Sequence, residues 1–255
     1  MKNFICEKGE GIVLLIAFLF VIALMSMLVG YIDLLSEVSD ITGRSFALLT
    51  ESAGSKGFLI TLSILVLATW RVVGTNSQFV SKLAQLGIIL VIGFAAKVGL
   101  KHMTESPRPY TELLAHQLLI PQPEHFYNLD ATQKAEVIGE ISQKVSPWRT
   151  KHWQGEKDYS FPSGHTIFAS ICLAFFGSLF WQTKHVGLVV VLGTWASGVA
   201  YSRLWLGMHR SEDLVGSILF VGLVYLLIPN LDKWTDKLLS KLGVPMLEKL
   251  IQSKH

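Results

Sequence analysis

The sequence predicts an all-α membrane protein: six transmembrane helices with a small helical insertion between the third and fourth. Three observations predict this class. Only 16% of the 255 residues are charged, against about 25% in soluble domains. The apolar residues gather in long runs near the roughly 20 residues that a helix needs to cross a bilayer. A single long polar segment interrupts these runs, and the length suits one domain covering residues 1–255.

The predicted spans follow one another closely except at that polar segment. They cover residues 11–32, 57–76, 83–100, 166–183, 186–202 and 214–231. The first run is longer than the apolar part of a signal peptide and has no convincing cleavage site, so we expect a retained helix. Arg71 and Lys97 lie inside the second and third runs, where a long charged side chain can extend toward the interface.

The polar insertion, residues 101–162, holds six of the eight prolines. Within it, Asp130 precedes apolar residues at helical spacing, namely Val137, Ile138, Ile141 and Val145. This pattern predicts a short amphipathic helix on the membrane surface or on the ends of the spans. The tail, residues 232–255, alternates apolar residues and lysines in the same way, which is typical of a helix lying in the membrane interface.

Charge asymmetry predicts the orientation. Six spans place both termini on one side, whose short segments carry Lys2, Lys8, Arg71, Lys82, Lys184 and five tail lysines. Short segments on the other side carry Arg44, Lys56, Arg203 and Arg210. Because lysine and arginine are enriched in cytoplasmic loops, we expect cytoplasmic termini and an insertion on the opposite, outer side of the membrane.

Three polar motifs lie at the predicted outer ends of the spans. They contain Lys101, Arg108 and Pro109; then Pro162, Ser163, Gly164 and His165; then Ser202, Arg203, His209 and Asp213. Each alone has an ordinary explanation: interfacial anchors, a helix cap and a surface i, i+4 pair. Together, cations and helix N-terminal amides suit a phosphate. An imidazole oriented by a carboxylate is a competent nucleophile, and a second imidazole can protonate a leaving alkoxide.

The order K-x6-R-P, P-S-G-H, S-R-x5-H-x3-D resembles the signature of the type 2 phosphatidic acid phosphatase superfamily, and the flanking sequences are similar to bacterial phosphatidylglycerophosphatases. The resemblance implies that His209 attacks phosphorus to form a phosphohistidine, that Asp213 orients it, and that His165 protonates the departing oxygen and then activates water. Lys101, Arg108, Ser163, Gly164 and Arg203 would hold the phosphate, with Pro109, Pro162 and Ser202 as structural members of the motifs. Lys97, one turn before Lys101, receives a secondary electrostatic role.

The implied substrates are phospholipids and polyprenyl phosphates: phosphatidylglycerophosphate, phosphatidate, lysophosphatidate, diacylglycerol pyrophosphate and undecaprenyl pyrophosphate. The outputs would be phosphatidylglycerol synthesis and recycling of the cell-wall lipid carrier. We expect no metal or other cofactor, because three cationic side chains fill the part that Mg²⁺ plays in many phosphoryl-transfer sites. A net charge of +3 argues against nucleic acid as a partner, and nothing indicates an obligate protein partner.

Three alternatives fit less well. An anionic-lipid transporter would place charges near the bilayer midplane and often shows inverted repeats, whereas here the charges lie at one face. Vanadate-dependent halide oxidation uses similar motifs, but the enzymes that perform it are typically soluble. A non-catalytic lipid-binding protein would not need the complete set of two histidines and an aspartate. Cys6 and Cys172 suggest no disulfide.

Overall fold

The computed structural model describes residues 2–30, 32–73, 77–229, 231, 234, 235 and 237, and every regular element in that part of the chain is helical. The long helices are α1 (Lys2–Val29), α2 (Asp40–Ala53), α3 (Phe58–Val73), α4 (Ser77–Thr104), α11 (Val186–Trp205) and α12 (Ser211–Leu227). Short helices between α4 and α11 are α5 (Pro109–His116), α6 (His125–Asn128), α7 (Ala131–Ile141), α8 (Pro147–Gly155), α9 (Gly164–Cys172) and α10 (Ser178–Gln182). A π-helical turn, Leu173–Gly177, joins α9 to α10.

Helices occupy all six positions of the predicted spans, but not all are long enough to be counted as spans. Four are long and apolar enough: Lys8–Val29, Phe79–His116, Gly164–Gln182 and Val186–Trp205. A fifth span results if α2 and α3, which meet at a 70° bend, count as one broken crossing. α12 has 17 residues, slightly short of the roughly 20 of a typical span. The described residues therefore support a multi-pass membrane protein, and the number six stays a prediction.

The rod formed by α9, the π-helical turn and α10 is the centre of the bundle. Every residue from 166 to 180 is buried, and α1, α4, α11 and α12 pack around this rod. The surrounding helices instead leave apolar side chains exposed on their outer faces, including Phe20, Leu28, Val91 and Leu227. Because lipid tails are as apolar as leucine, helices that face lipid can expose apolar side chains on their outer faces.

The insertion folds as a small helical unit with its own core. The predicted amphipathic helix is confirmed as α7, whose N-cap Asp130 forms a capping box with Gln133. Ile138 and Ile141 are buried in the core of this unit, together with Trp153 of α8. The indole nitrogen of Trp153 donates to the carbonyl of Leu206 at 2.7 Å, which ties the unit to the loop after α11. The predicted interfacial helix of the tail lies outside the described residues, apart from a few isolated positions.

Helix α2 was not predicted, yet it reaches the functional motifs. Ser39 caps its N-terminus, and α2 packs against α8, α9 and α11. It ends at Gly54, where the chain turns sharply into α3. The last turn of α2 therefore lies beside the start of α9, where the second motif begins.

Candidate active site

His209 and Asp213 form a buried, oriented pair. α11 ends at Trp205, and Gly207 adopts a φ of +65°, a left-handed conformation that glycine allows and that reverses the chain toward α12. His209 follows in this loop, and its Nδ1 lies 3.2 Å from Oδ2 of Asp213 in the first turn of α12. The same oxygen accepts a hydrogen bond from the backbone N–H of Arg210 at 2.9 Å. The carboxylate is thus held in place and can fix the orientation of the imidazole.

Ser160 contacts both His209 and Asp213, and the sequence analysis did not identify it. Its hydroxyl donates to Oδ2 of Asp213 and lies 3.3 Å from Nδ1 of His209. Its backbone N–H donates to the carbonyl of Ser106 at 2.8 Å, which fastens the segment before the second motif to the chain after α4. Ser160 stands only three residues before Ser163, so closeness to the motif was the one available signal.

The free ring nitrogen of His209 faces positive charge. Its Nε2 lies 3.4 Å from a guanidinium nitrogen of Arg108. Burial, followed by the charges of Arg108 and Arg203, holds the pKa of His209 well below its usual value. The imidazole is therefore neutral at pH 7, and its Nε2 accepts from Arg108 and becomes available for attack on phosphorus only when a substrate takes over that donor.

His165 stands in the first turn of α9. The side chain of Ser163 caps this helix by accepting a hydrogen bond from the backbone N–H of Thr166 at 3.3 Å. Gly164 allows close approach, because a Cβ there would come within 3.0 Å of Nζ of Lys97. Gly54 likewise faces His165, since a Cβ at Gly54 would lie 2.9 Å from its Nε2. The Nε2 of His165 therefore lies against Gly54 at the end of α2, and the turn that carries His165 packs against Lys97.

The three predicted phosphate-binding cations converge, and two carboxylates that we did not predict pair with them. One guanidinium nitrogen of Arg203, Nη2, donates to both carboxylate oxygens of Glu156, at 2.8 and 2.9 Å. Arg108 pairs with Asp158 at 2.6 Å and with Glu156 at 3.3 Å, and Lys101 pairs with Asp158 at 3.1 Å. Guanidinium N–H groups donate to carboxylate and to phosphate oxygens alike. The two carboxylates therefore contact donors that we expect a phosphate to use.

Both carboxylates are ionised at neutral pH. Burial alone raises the pKa of Glu156, but the charges of Arg203 and Arg108 outweigh it and hold that pKa well below the usual value. The pKa of Asp158 is lowered in the same way, because Arg108 and Lys101 overcome its partial burial. Both acids lie in GEKDYSFPSGH, within nine residues of His165. An acidic pair so close to a cationic site was the signal that could have revealed them.

The remaining predicted residues lie at the edge of this cluster. Pro109 is the first residue of α5, and Pro162 is buried directly before the α9 cap. The hydroxyl of Ser202 donates to the carbonyl of Val199 in its own helix at 2.6 Å. Thr50 of α2, which we did not predict, accepts a hydrogen bond from Arg203 at 2.7 Å. Within the described ranges, no three His, Cys, Asp or Glu side chains are grouped so that they could hold a metal ion.

Two openings reach the two histidines from different sides. A cavity of about 460 Å³ borders His165, Lys97, Glu156 and Asp158. A groove of about 560 Å³ between the end of α1, α5 and the start of α12 borders His209. The two candidate catalytic histidines therefore border separate spaces.

A membrane-embedded helical bundle with an oriented histidine, a second histidine and three converging cations defines a membrane lipid phosphatase. Comparison with known proteins agrees: residues 82–236, which contain all three motifs, match the PAP2 superfamily, and the chain belongs to it. The chain is 34% identical to phosphatidylglycerophosphatase B of Haemophilus influenzae over 187 residues, covering 69% of this chain and 76% of that protein. It is 33% identical to phosphatidylglycerophosphatase B of Escherichia coli K12 over 135 residues, covering 52% of this chain and only 53% of that protein.

Proposed function

We propose that this protein hydrolyses phosphomonoester and diphosphate headgroups of membrane lipids through a phosphohistidine at His209. The observation that carries the proposal is the position of its free Nε2. That atom lies beside Arg108, while Nδ1 is held by Asp213. Phosphoryl transfer to nitrogen requires an imidazole held in a fixed orientation, here through Nδ1, and cations beside the attacking Nε2 that stabilise the phosphate.

In the first step, the substrate phosphate displaces Glu156 and Asp158 from Lys101, Arg108 and Arg203. The Nε2 lone pair of His209 forms a bond to phosphorus as the bond to the leaving oxygen breaks, and Nδ1–H stays hydrogen-bonded to Asp213. His165 gives its proton to the leaving oxygen. The guanidinium groups stabilise the charge on the equatorial oxygens, at about 2.7–4 kcal/mol for each well-aimed donor.

In the second step, His165 is neutral and takes a proton from water. That water attacks phosphorus, the P–N bond to His209 breaks, and inorganic phosphate leaves. His165 regains its proton and His209 its lone pair, so the enzyme returns to its starting state. The hydroxyl of Ser163 caps α9, so we assign phosphate contact at this turn mainly to the Gly164 amide and the α9 N-terminus. No metal ion takes part in either step.

The substrates we propose are those implied by the motifs, with phosphatidylglycerophosphate and undecaprenyl pyrophosphate as joint leading candidates. The names of the relatives support the first of these. Each reacting side chain lies at a helix end or in an adjoining loop, so a lipid headgroup reaches the site while its chains stay among the helices. We place the site at the exterior face of the bacterial cytoplasmic membrane, with both termini in the cytoplasm, on the charge asymmetry of the short loops.

The test measures phosphate release by purified protein in detergent from the proposed lipids and from glycerol 3-phosphate. We expect kcat/KM for the lipids to exceed that for the soluble ester by at least about 10²-fold, since each buried CH₂ contributes roughly 0.8 kcal/mol. Activity should survive EDTA, and vanadate should inhibit. Equal turnover of the soluble ester would contradict the lipid specificity. Loss of activity in EDTA that a divalent ion restores would contradict the metal-independent mechanism.

A further inference from the structure

Two segments that lie far apart in the sequence bring the nucleophile to a phosphate-binding cation. Residues 106–112, which lead from α4 into α5, carry Arg108, and residues 207–213 carry His209 with its partner Asp213. The 3.4 Å between a guanidinium nitrogen of Arg108 and Nε2 of His209 depends on how these two segments are joined. The contacts that join them therefore also set the distance between the nucleophile and a phosphate on Arg108.

Two of the joining contacts come from the segment that carries Arg108. The backbone N–H of Tyr110 donates to the carbonyl of Gly207 at 3.0 Å, and the guanidinium of Arg108 donates to the carbonyl of Met208 at 2.9 Å. The first bond is independent of the substrate. The second belongs to a side chain that the phosphate engages in the reaction that we propose.

Arg210, the residue after His209, adds two further contacts between the segments. Its Nη1 donates to the carbonyl of Pro107, and its Nη2 forms an ion pair with Oε1 of Glu112 in α5. Its backbone N–H donates at 2.9 Å to Oδ2 of Asp213, the oxygen that also contacts Nδ1 of His209. The rigid, planar guanidinium thus contacts the opposite segment at two points, a geometry that the compact ammonium of a lysine does not match.

We propose that Arg210 and Glu112 are positioning residues, which hold the loop of His209 against α5 so that Nε2 stays in line with the phosphate on Arg108. The inference rests on the proposed function. It goes beyond the motifs, because position 210 is an unspecified residue within S-R-x5-H-x3-D and Glu112 lies outside all three. The side-chain contacts of Arg210 involve no phosphate-binding residue, so they remain in place while Arg108 holds the substrate.

The test measures the rate constant of phosphoenzyme formation in a single turnover, by rapid quenching of the full-length protein in detergent with ³²P-labelled phosphatidate. Arg210→Met keeps an unbranched side chain but removes both donors. We expect about tenfold slower formation, since a shift of about 1 Å in a reacting group can cost up to about 10²-fold. Glu112→Gln removes one of the two contacts and should slow formation about threefold. Arg210→Lys keeps the charge but not the planar donors, so its rate should lie between those of Arg210→Met and the wild-type protein.

Three further measurements separate positioning from a structural effect. The inhibition constant of inorganic phosphate should stay within about twofold, because the cations that bind it are unchanged. The Tm should shift by no more than about 4 °C, since an ion pair between partly exposed side chains contributes little to stability. In the double variant, Glu112→Gln should add no further loss to Arg210→Met, because its partner is already gone.

The matched controls are Arg44→Met and Glu140→Gln, which remove exposed charges of the same types away from the groove that Arg210 and Glu112 line. Both controls should form the phosphoenzyme at the wild-type rate. Normal formation in Arg210→Met refutes the positioning role, and so does full activity of Arg210→Lys, which would show that the charge alone matters.

A slower rate that is matched by weaker phosphate binding or by a larger fall in Tm also refutes the positioning role. If Arg210→Met does not fold, Glu112→Gln and Arg210→Lys decide the question, and wild-type rates in both overturn the proposal. If the wild-type protein forms no phosphoenzyme, the proposed function itself fails and the positioning role falls with it.

Discussion

Glu156, which lies outside the three motifs, pairs with two of their cations. The motifs supply cations for a phosphate, and the carboxylate of Glu156 bridges two of them, Arg203 and Arg108. This contact pairs buried guanidinium charges, which are costly to leave unpaired. We expect Glu156 to compete with a substrate phosphate for the same cations.

Replacing Glu156 with Gln should tighten binding of small anions. The amide keeps the shape but removes the charge that the phosphate must displace, so we expect the inhibition constants of vanadate and inorganic phosphate to fall by about tenfold. Turnover should slow, because product phosphate leaves less readily. Glu140→Gln, at an exposed position of α7, is the control. Unchanged or weaker inhibition would mean that Glu156 supports anion binding instead of opposing it.

His209 and Asp213 can be separated by their products. His209→Ala should abolish both turnover and the acid-labile phosphoenzyme, because no nucleophile remains. Asp213→Asn should leave the phosphoenzyme detectable but lower kcat by roughly 10³–10⁴-fold, since the amide no longer fixes the productive tautomer. Rapid quenching with a ³²P-labelled lipid measures both effects. Labelled phosphate on another residue would refute the nucleophilic role.

At the scale of elements, the junction between α2 and α3 lies against His165, the proton donor that we propose. Gly54 has φ −88° and ψ −179°, an extended conformation open to any residue, so alanine adds no backbone strain there. Its Cβ would lie 2.9 Å from Nε2 of His165 and must displace the ring. A shift of about 1 Å in a reacting group can cost up to about 10²-fold in rate. We therefore expect this junction to influence catalysis, although it lies outside the motifs.

Gly54→Ala should lower kcat by about tenfold or more with little change in thermal stability. A leaving group that needs no protonation, such as p-nitrophenol in p-nitrophenyl phosphate, should recover part of the loss, because only the acid is misplaced. Gly139→Ala in α7, where an added Cβ meets nothing within 4 Å, is the matched control. Full activity in the Gly54 variant would show that the imidazole has room to move without consequence.

At the scale of the whole molecule, orientation in the membrane decides which leaflet supplies the substrate. In a background with Cys6 and Cys172 replaced by Ser, a cysteine at exposed Glu140 should react with a membrane-impermeant maleimide in intact cells. A cysteine at exposed Lys184 should react only after permeabilisation. This pattern follows from the bias of lysine and arginine toward cytoplasmic loops. The reverse pattern would place the site on the cytoplasmic face and contradict the proposed orientation.

The sequence alone determined the features that depend on local pattern. Long apolar runs predicted the positions of the main helices, because a bilayer imposes a length and a composition on whatever crosses it. The i, i+4 spacing of His209 and Asp213 and the helix start at the second motif depend on neighbouring residues, so both could be predicted from the sequence, whereas the capping role of Ser163 was not. The helix α7 was predictable for the same reason, since its cap and its apolar face are local.

Tertiary structure decided which distant groups meet. Glu156 and Asp158 lie in a polar loop without periodicity, and only the path of that loop across the bundle brings them to Arg108 and Arg203. α2 is too short and too polar to stand out as a span, yet packing against α11 places Thr50 and Gly54 beside the catalytic residues. Hydropathy records the affinity of a segment for lipid, but pairing between charges depends on distances that only the packed chain defines.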